Sequence, residues 1–172
     1  MAVRIRNARF PQDNHRILAL FAAYVESLGI DLTFQNFDDE LASFPGKYTP
    51  QEGGALIVAE LHSDLSRSTV EASEESPAHN IVGCVALRRN TDTWCEMKRL
   101  YVTPQARKTG AGQKLVQEII QQGCELGYEG MRLDTLSHMV PALTLYRRFG
   151  FEEIEKYYET PLEGTVFMGL RL

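Results

Sequence analysis

The residues best able to do chemistry in this sequence gather just after Trp94. Arg107, Lys108, Thr109, Gly110, Ala111 and Gly112 stand between a run of β-formers, Trp94–Val102, and an apolar pattern at helical spacing, Leu115, Val116, Ile119, Ile120 and Cys124. Pro104 ends the strand, because it cannot donate to a ladder. Two cations and two glycines at the mouth of a helix make a place for an anion. The first-turn amides lack partners, the macrodipole is positive there, and glycine lets a phosphate approach the main chain. A Walker loop would need Gly-Lys-Ser/Thr, whereas Gln113 and Lys114 follow Gly112. A dinucleotide fingerprint would need a third glycine where Leu115 stands. Spacing excludes both.

What is left is R-x-x-G-x-G after a strand ending Leu-Tyr-Val-x-Pro. It sits within E-M-K-R-L-Y-V-x-P-x-x-R-x-x-G-x-G-x-x-L, which begins at Glu96. A second segment, A-x-x-L-Y-x-x-x-G-F, is met in register by Ala142, Leu145, Tyr146, Gly150 and Phe151. Together the two strings, in this order, resemble the GNAT superfamily of acetyl-CoA-dependent N-acetyltransferases. The resemblance spans nearly the whole chain; only the acceptor region and the stretch 62–80 lack a signature.

The resemblance implies a mixed α/β fold: a mostly antiparallel twisted sheet of about seven strands, flanked by about four helices and splayed at the strand 94–102. It implies acetyl-CoA as cofactor, its pyrophosphate on Arg107, Lys108, Thr109, Gly110, Ala111 and Gly112, and its arm along the main chain of Leu100, Tyr101 and Val102. Lys108 stands where relatives often carry glycine. Met139 replaces an asparagine that often contacts the ligands, and neighbouring Ser137 or His138 would substitute. The chemistry that the resemblance implies is acetyl transfer to a primary amine by direct attack in a ternary complex. Glu96 is the implied base, directly or through water, and Tyr146 the implied acid toward the leaving thiolate. A phenol near pKa 10 stays protonated where a thiol near 8.5 begins to ionise. Glu96 pairing with Lys98 or Arg88, and Tyr146 as a core residue, are the structural alternatives. Between the first two helices, where relatives shape the acceptor pocket, Phe34 and Gln35 are candidates, and Tyr48 in the turn that follows is a third.

Stepping outward from these residues, a strand is expected over Val3–Ala8 and a helix after Pro11 and Asp13. The helix carries the stripe Ile17, Leu18, Phe21, Tyr24, Val25 and Leu28, and stops at Gly29. A shorter helix covers Gln35–Ala42, and strands cover Ala55–Leu61 and Ile81–Arg88. The stretch 62–80, rich in Ser, Glu and Ala, reads as a mobile hairpin loop. A strand at Met131–Thr135, a helix from Pro141 to the Gly150 cap, and strands at Glu152–Tyr158 and Thr165–Leu172 complete one domain over 1–172.

The 172 residues carry a formal charge of −5, which opposes a nucleic-acid or anionic-membrane binder. No run approaches membrane-spanning length, and the first ten residues hold no apolar targeting core. Cys84, Cys95 and Cys124 are an odd number without metal spacing; they read as reduced core thiols of a cytoplasmic protein, with a Cys95 acyl relay as the weaker reading. No metal is expected. The partners expected are a small-molecule, amino-acid or peptide amine, with the chain a monomer or homodimer. The rival reading is a catalytically silent acyl-CoA sensor or scaffold.

Overall fold

The computed structural model describes residues 2–31, 35–62 and 81–172. In chain order the elements are β1 (Ala2–Asn7), α1 (Asn14–Leu28), α2 (Phe37–Ala42), β2 (Ala55–His62), β3 (Ile81–Arg89), β4 (Trp94–Val102), α3 (Ala111–Glu125), β5 (Gly130–Leu136), α4 (Val140–Arg148), β6 (Glu152–Glu153) and β7 (Thr165–Arg171). The strands form one sheet in the order β1-β2-β3-β4-β5-β7-β6. Every neighbouring pair is antiparallel except β4 with β5. This is the mixed, mostly antiparallel seven-stranded sheet with four helices that the motifs imply. The stretch 63–80 and Phe34 lie outside the described residues.

Alternation along β2 and β3 sends side chains to two cores, one on each face. Ile57, Ala59, Val85 and Leu87 pack with Leu115, Val116 and Ile119 of α3 and Leu143 of α4. Leu56, Val58, Cys84 and Ala86 pack with Ile17, Leu20 and Phe21 of α1 and with Tyr48. Full burial of each such aliphatic side chain is worth about 1.5–3 kcal/mol. Helix α1 ends at Gly29, whose φ of 62° suits a residue without a side chain and whose N–H bonds the Glu26 carbonyl.

Two features of β4 open the sheet at its centre. Opposite β3, the register runs Ala86↔Lys98 and then Cys84↔Tyr101, so Arg99 and Leu100 together face Val85. This is a β-bulge, and Arg99 takes the left-handed φ of 58°. The extra residue reverses the alternation: Cys95 and Met97 face the α3 core before it, Leu100 and Val102 after it. On its other edge β4 pairs with β5 only at Trp94, Cys95 and Glu96. Beyond Glu96 the two strands part, and β5 continues on β7 through Leu133–Leu136.

Three expectations are corrected. The strand expected at Glu152–Tyr158 is only Glu152–Glu153; Tyr157 and Tyr158 instead turn onto Phe167, each 5.2 Å from its ring centroid. Cys124 is exposed. Gly123 takes the core-facing place on α3, where a Cβ would lie 2.9 Å from Leu172 and 3.0 Å from Met131. On α1 the buried stripe is Ile17, Leu20 and Phe21, with Leu18 only half-buried. Among the described residues no helix is long and apolar enough to cross a membrane.

Candidate active site

The gap between the parted strands is a cavity. Met97 and Leu100 of β4 form one wall, Leu133 and Leu136 of β5 the other, and Tyr146 projects into it from α4. Tyr24 and Leu28 of α1 close it from the opposite face, and Gln35, Lys98 and Arg99 form its polar end. Tyr146 is almost fully buried, its ring edge-on to Phe151 at 5.9 Å. Burial, reinforced by nearby Tyr24 and Asp134, pushes its phenol above the ordinary value. It is a protonated donor facing an apolar space.

A second cavity lies at the far end of β4, bounded by Val102, Arg107, Lys108, Gly110, Ala111 and Gly112. Leu100 opens on the first cavity and Val102, two residues on, opens on this one, so both are reached from the bulged end of β4. Thr103 N–H bonds the Val82 carbonyl at 2.8 Å. By the alternation of an antiparallel ladder, the main-chain groups of Val102 therefore face away from β3. Helix α3 starts at Ala111, so the amides of Ala111, Gly112 and Gln113 have no carbonyl partner within it. Gly110, at the N-cap, adopts φ 83°, and a Cβ there would meet nothing within 4 Å; backbone conformation, not space, requires the glycine. Lys108 takes φ 66°, which explains why glycine would sit there more easily. The Thr109 hydroxyl donates to the Ala106 carbonyl at 2.7 Å and tightens the turn. First-turn amides without a helical partner, a positive helix end and two exposed cations fit a pyrophosphate.

The charged groups beside the first cavity are interlocked. Glu96 is fully buried: Arg88 donates Nε to its Oε2 at 2.6 Å, and Tyr157 donates its hydroxyl to Oε1 at 2.9 Å. Lys98 lies 3.7 Å from Glu96 Oε1 and 3.1 Å from Asp134 Oδ1. Glu96 lines neither polar wall, whereas Asp134 lines the cavity that holds Tyr146. Arg99 grips Glu40 of α2 with both Nε and Nη2, at 3.0 and 2.9 Å. Burial pushes the Glu40 carboxyl up, but Arg99, Tyr48 and Lys47 outweigh it and hold the group down at about 2. The pair ties α2 to the β4 bulge.

The structure therefore brings Leu100, Tyr146 and Gln35 to one cavity and Val102, Arg107, Lys108, Gly110, Ala111 and Gly112 to the other. Tyr101 packs instead on Tyr24, ring centroids 6.3 Å apart. Tyr48 is not on either cavity; it is 1% exposed in the α1 core and donates its hydroxyl to Glu40 at 2.7 Å. Ser137 is exposed on the loop after β5, away from the cavity wall, while Met139 does line it. Cys95 is a core thiol: burial pushes it up to about 12, and its S–H faces the Gly130 carbonyl. Sequence reasoning missed Asp134, Arg99 and Glu40. Arg99 sits inside the quoted string, but its partner lies 59 residues away.

A family profile described as the acetyltransferase (GNAT) domain matches residues 66–153. The chain is 39% identical to an uncharacterised N-acetyltransferase of Schizosaccharomyces pombe, over 99% of this chain and 95% of that protein. It is 30% identical to an uncharacterised N-acetyltransferase of Dictyostelium discoideum, over the whole of both. In fold it is similar to a GNAT-family acetyltransferase of Staphylococcus aureus (TM-score 0.73, 20% identity, 99% of each chain). It is also similar to a Salmonella typhimurium protein solved with its cofactor acetyl-CoA (TM-score 0.68, 19% identity, 99% of this chain and 94% of that one). By the matching profile and by these relatives, the chain belongs to the GNAT family of acetyltransferases.

Proposed function

We propose that this chain, acting as a single GNAT domain, transfers the acetyl group of acetyl-CoA to a primary amine of a small molecule, amino acid or peptide. Attack is direct, within a ternary complex. The observation that carries the reading is the pair of cavities along β4, one bounded by the start of α3 and the other holding Tyr146. When bound, acetyl-CoA supplies the activated acyl thioester. Arg107, Lys108 and the amides of Ala111, Gly112 and Gln113 would hold the pyrophosphate, while the main chain of Leu100 and Val102 would lie along the arm; Tyr101, paired with Cys84, turns its main-chain groups to β3 and is not available to it. Tyr146, which burial keeps protonated, donates its proton to the departing sulfur.

Proton removal from the ammonium is assigned to the carboxylates that share Lys98. Asp134 lines the cavity, with Lys98 on its Oδ1 at 3.1 Å. Glu96 acts from behind, fixing Lys98 and Arg88.

Calorimetric titration of acetyl-CoA, followed by a thiol-release screen across amines, tests the proposal. Binding with release for one acceptor class supports transfer. Binding without release from any amine favours the silent sensor, and no binding refutes the anion-loop argument.

A further inference from the structure

Beside the cavity that holds Tyr146 lies a polar cavity of about 250 Å³. Gln35, Lys98 and Arg99 line both, so the two meet at these side chains. The volume falls below the ~300–1,000 Å³ of pockets for drug-sized ligands, which favours a small occupant.

Its walls carry a surplus of positive charge. Arg88, Lys98 and Arg99 line it, with Glu40 as the single carboxylate. In the wider network four cations (these three and Lys47) meet three carboxylates, Glu40, Glu96 and Asp134. Glu40 is fully engaged, its Oε1 with Arg99 and Tyr48 and its Oε2 with Arg99 and Lys47. The surplus stands out in a chain of formal charge −5. It repels a bare ammonium and attracts an anion.

Two donors are left over. Arg88 commits Nε and Nη2 to Glu96, leaving Nη1 without a partner among the described residues. The Tyr158 hydroxyl is buried on the same wall, and burial, reinforced by nearby Asp134, raises the phenol. Yet it meets hydrogen-bond geometry with no described residue. A guanidinium and a hydroxyl with free donors match the acceptor-only chemistry of a carboxylate.

We infer that the acceptor is a small amine bearing a carboxylate, of the amino-acid type, with the carboxylate against Arg88 and Tyr158 and the amine beside Lys98 and Asp134, where the two cavities meet. This rests on the transferase reading and narrows its acceptor. The cationic surplus also favours the neutral, nucleophilic form of the bound amine. A peptide N-terminus places a neutral amide where Arg88 waits, so peptides are poor substrates.

The test compares free amino acids with their own carboxamides in thiol release from acetyl-CoA. The acids are expected to exceed the carboxamides in kcat/KM by about tenfold or more. Arg88→Gln should raise KM for the acid about tenfold more than KM for the carboxamide, so the preference for acids collapses while KM for acetyl-CoA holds. If Arg88→Gln fails to fold because Glu96 loses its partner, the wild-type comparison decides alone. Carboxamides or plain alkylamines used as well as the acids overturn the inference and leave the transferase intact. No release from any amine, by protein that still binds acetyl-CoA, overturns the transferase reading and this inference with it.

Discussion

Replacing Tyr146 by phenylalanine removes one oxygen from the cavity between β4 and β5. The hydroxyl makes no hydrogen bond to any described residue, and the ring keeps its edge contact with Phe151 at 5.9 Å. Stability should therefore change by less than about 1 kcal/mol, and acetyl-CoA affinity should hold, because the anion loop lies at the other end of β4. The loss falls on turnover. A general acid is worth about 10²–10⁴ in rate, or about 3–5 kcal/mol of barrier. Steady-state thiol release at saturating acceptor measures kcat, calorimetry measures acetyl-CoA binding, and thermal melting checks the fold. Because burial holds the phenol above its usual pKa of ~10, wild-type kcat should also show no alkaline loss from this group below about pH 10. A variant that binds acetyl-CoA normally, melts normally and turns over within about threefold of wild type would refute the acid assignment, since general acid catalysis is worth far more.

Two further perturbations probe the charged network. Asp134→Asn should lower kcat/KM more than Glu96→Gln does, and by about 10²-fold or more if it removes the base; the reverse order in a side-by-side pH profile would return the direct role to Glu96. Arg99→Met leaves Glu40 buried without its main partner and should cost about 3–5 kcal/mol in urea unfolding. The Glu40 pair also sets an acid limit. A carboxyl held at about 2 when folded, against 4.5 unfolded, contributes stability that is complete above about pH 4.5 and lost as pH falls toward about 2. Loss of this acid limb in Arg99→Met, measured from unfolding curves at several pH values, checks the sign. An unchanged limb would assign the acid sensitivity elsewhere.

Much of the fold could be read from local pattern. The stripe Leu115, Val116 and Ile119, the stop at Gly29 and the alternation in β2 and β3 act within one or two turns of chain, where propensity and burial agree. Elements failed where distant packing won. Tyr157 and Tyr158 have strand propensity, but Phe167 and the Glu96 carboxylate draw them out of the sheet. Cys124 fits the helical period loosely, yet Gly123 takes the core because Leu172 and Met131 leave no room for a side chain.

Local sequence was enough to place the 107–112 turn, whose cations, glycines and helix start are contiguous, and to place Tyr146 on the helix that bears it. Only the tertiary structure decided which carboxylate meets the cavity. Glu96 and Asp134 lie on different strands, and the point at which β4 and β5 part encloses one and exposes the other. It also decided that Arg99 would bind Glu40. That pair depends on a one-residue bulge reversing the side-chain alternation of β4. Such a bulge gains its energy from neighbours far away in the chain and leaves no local signature.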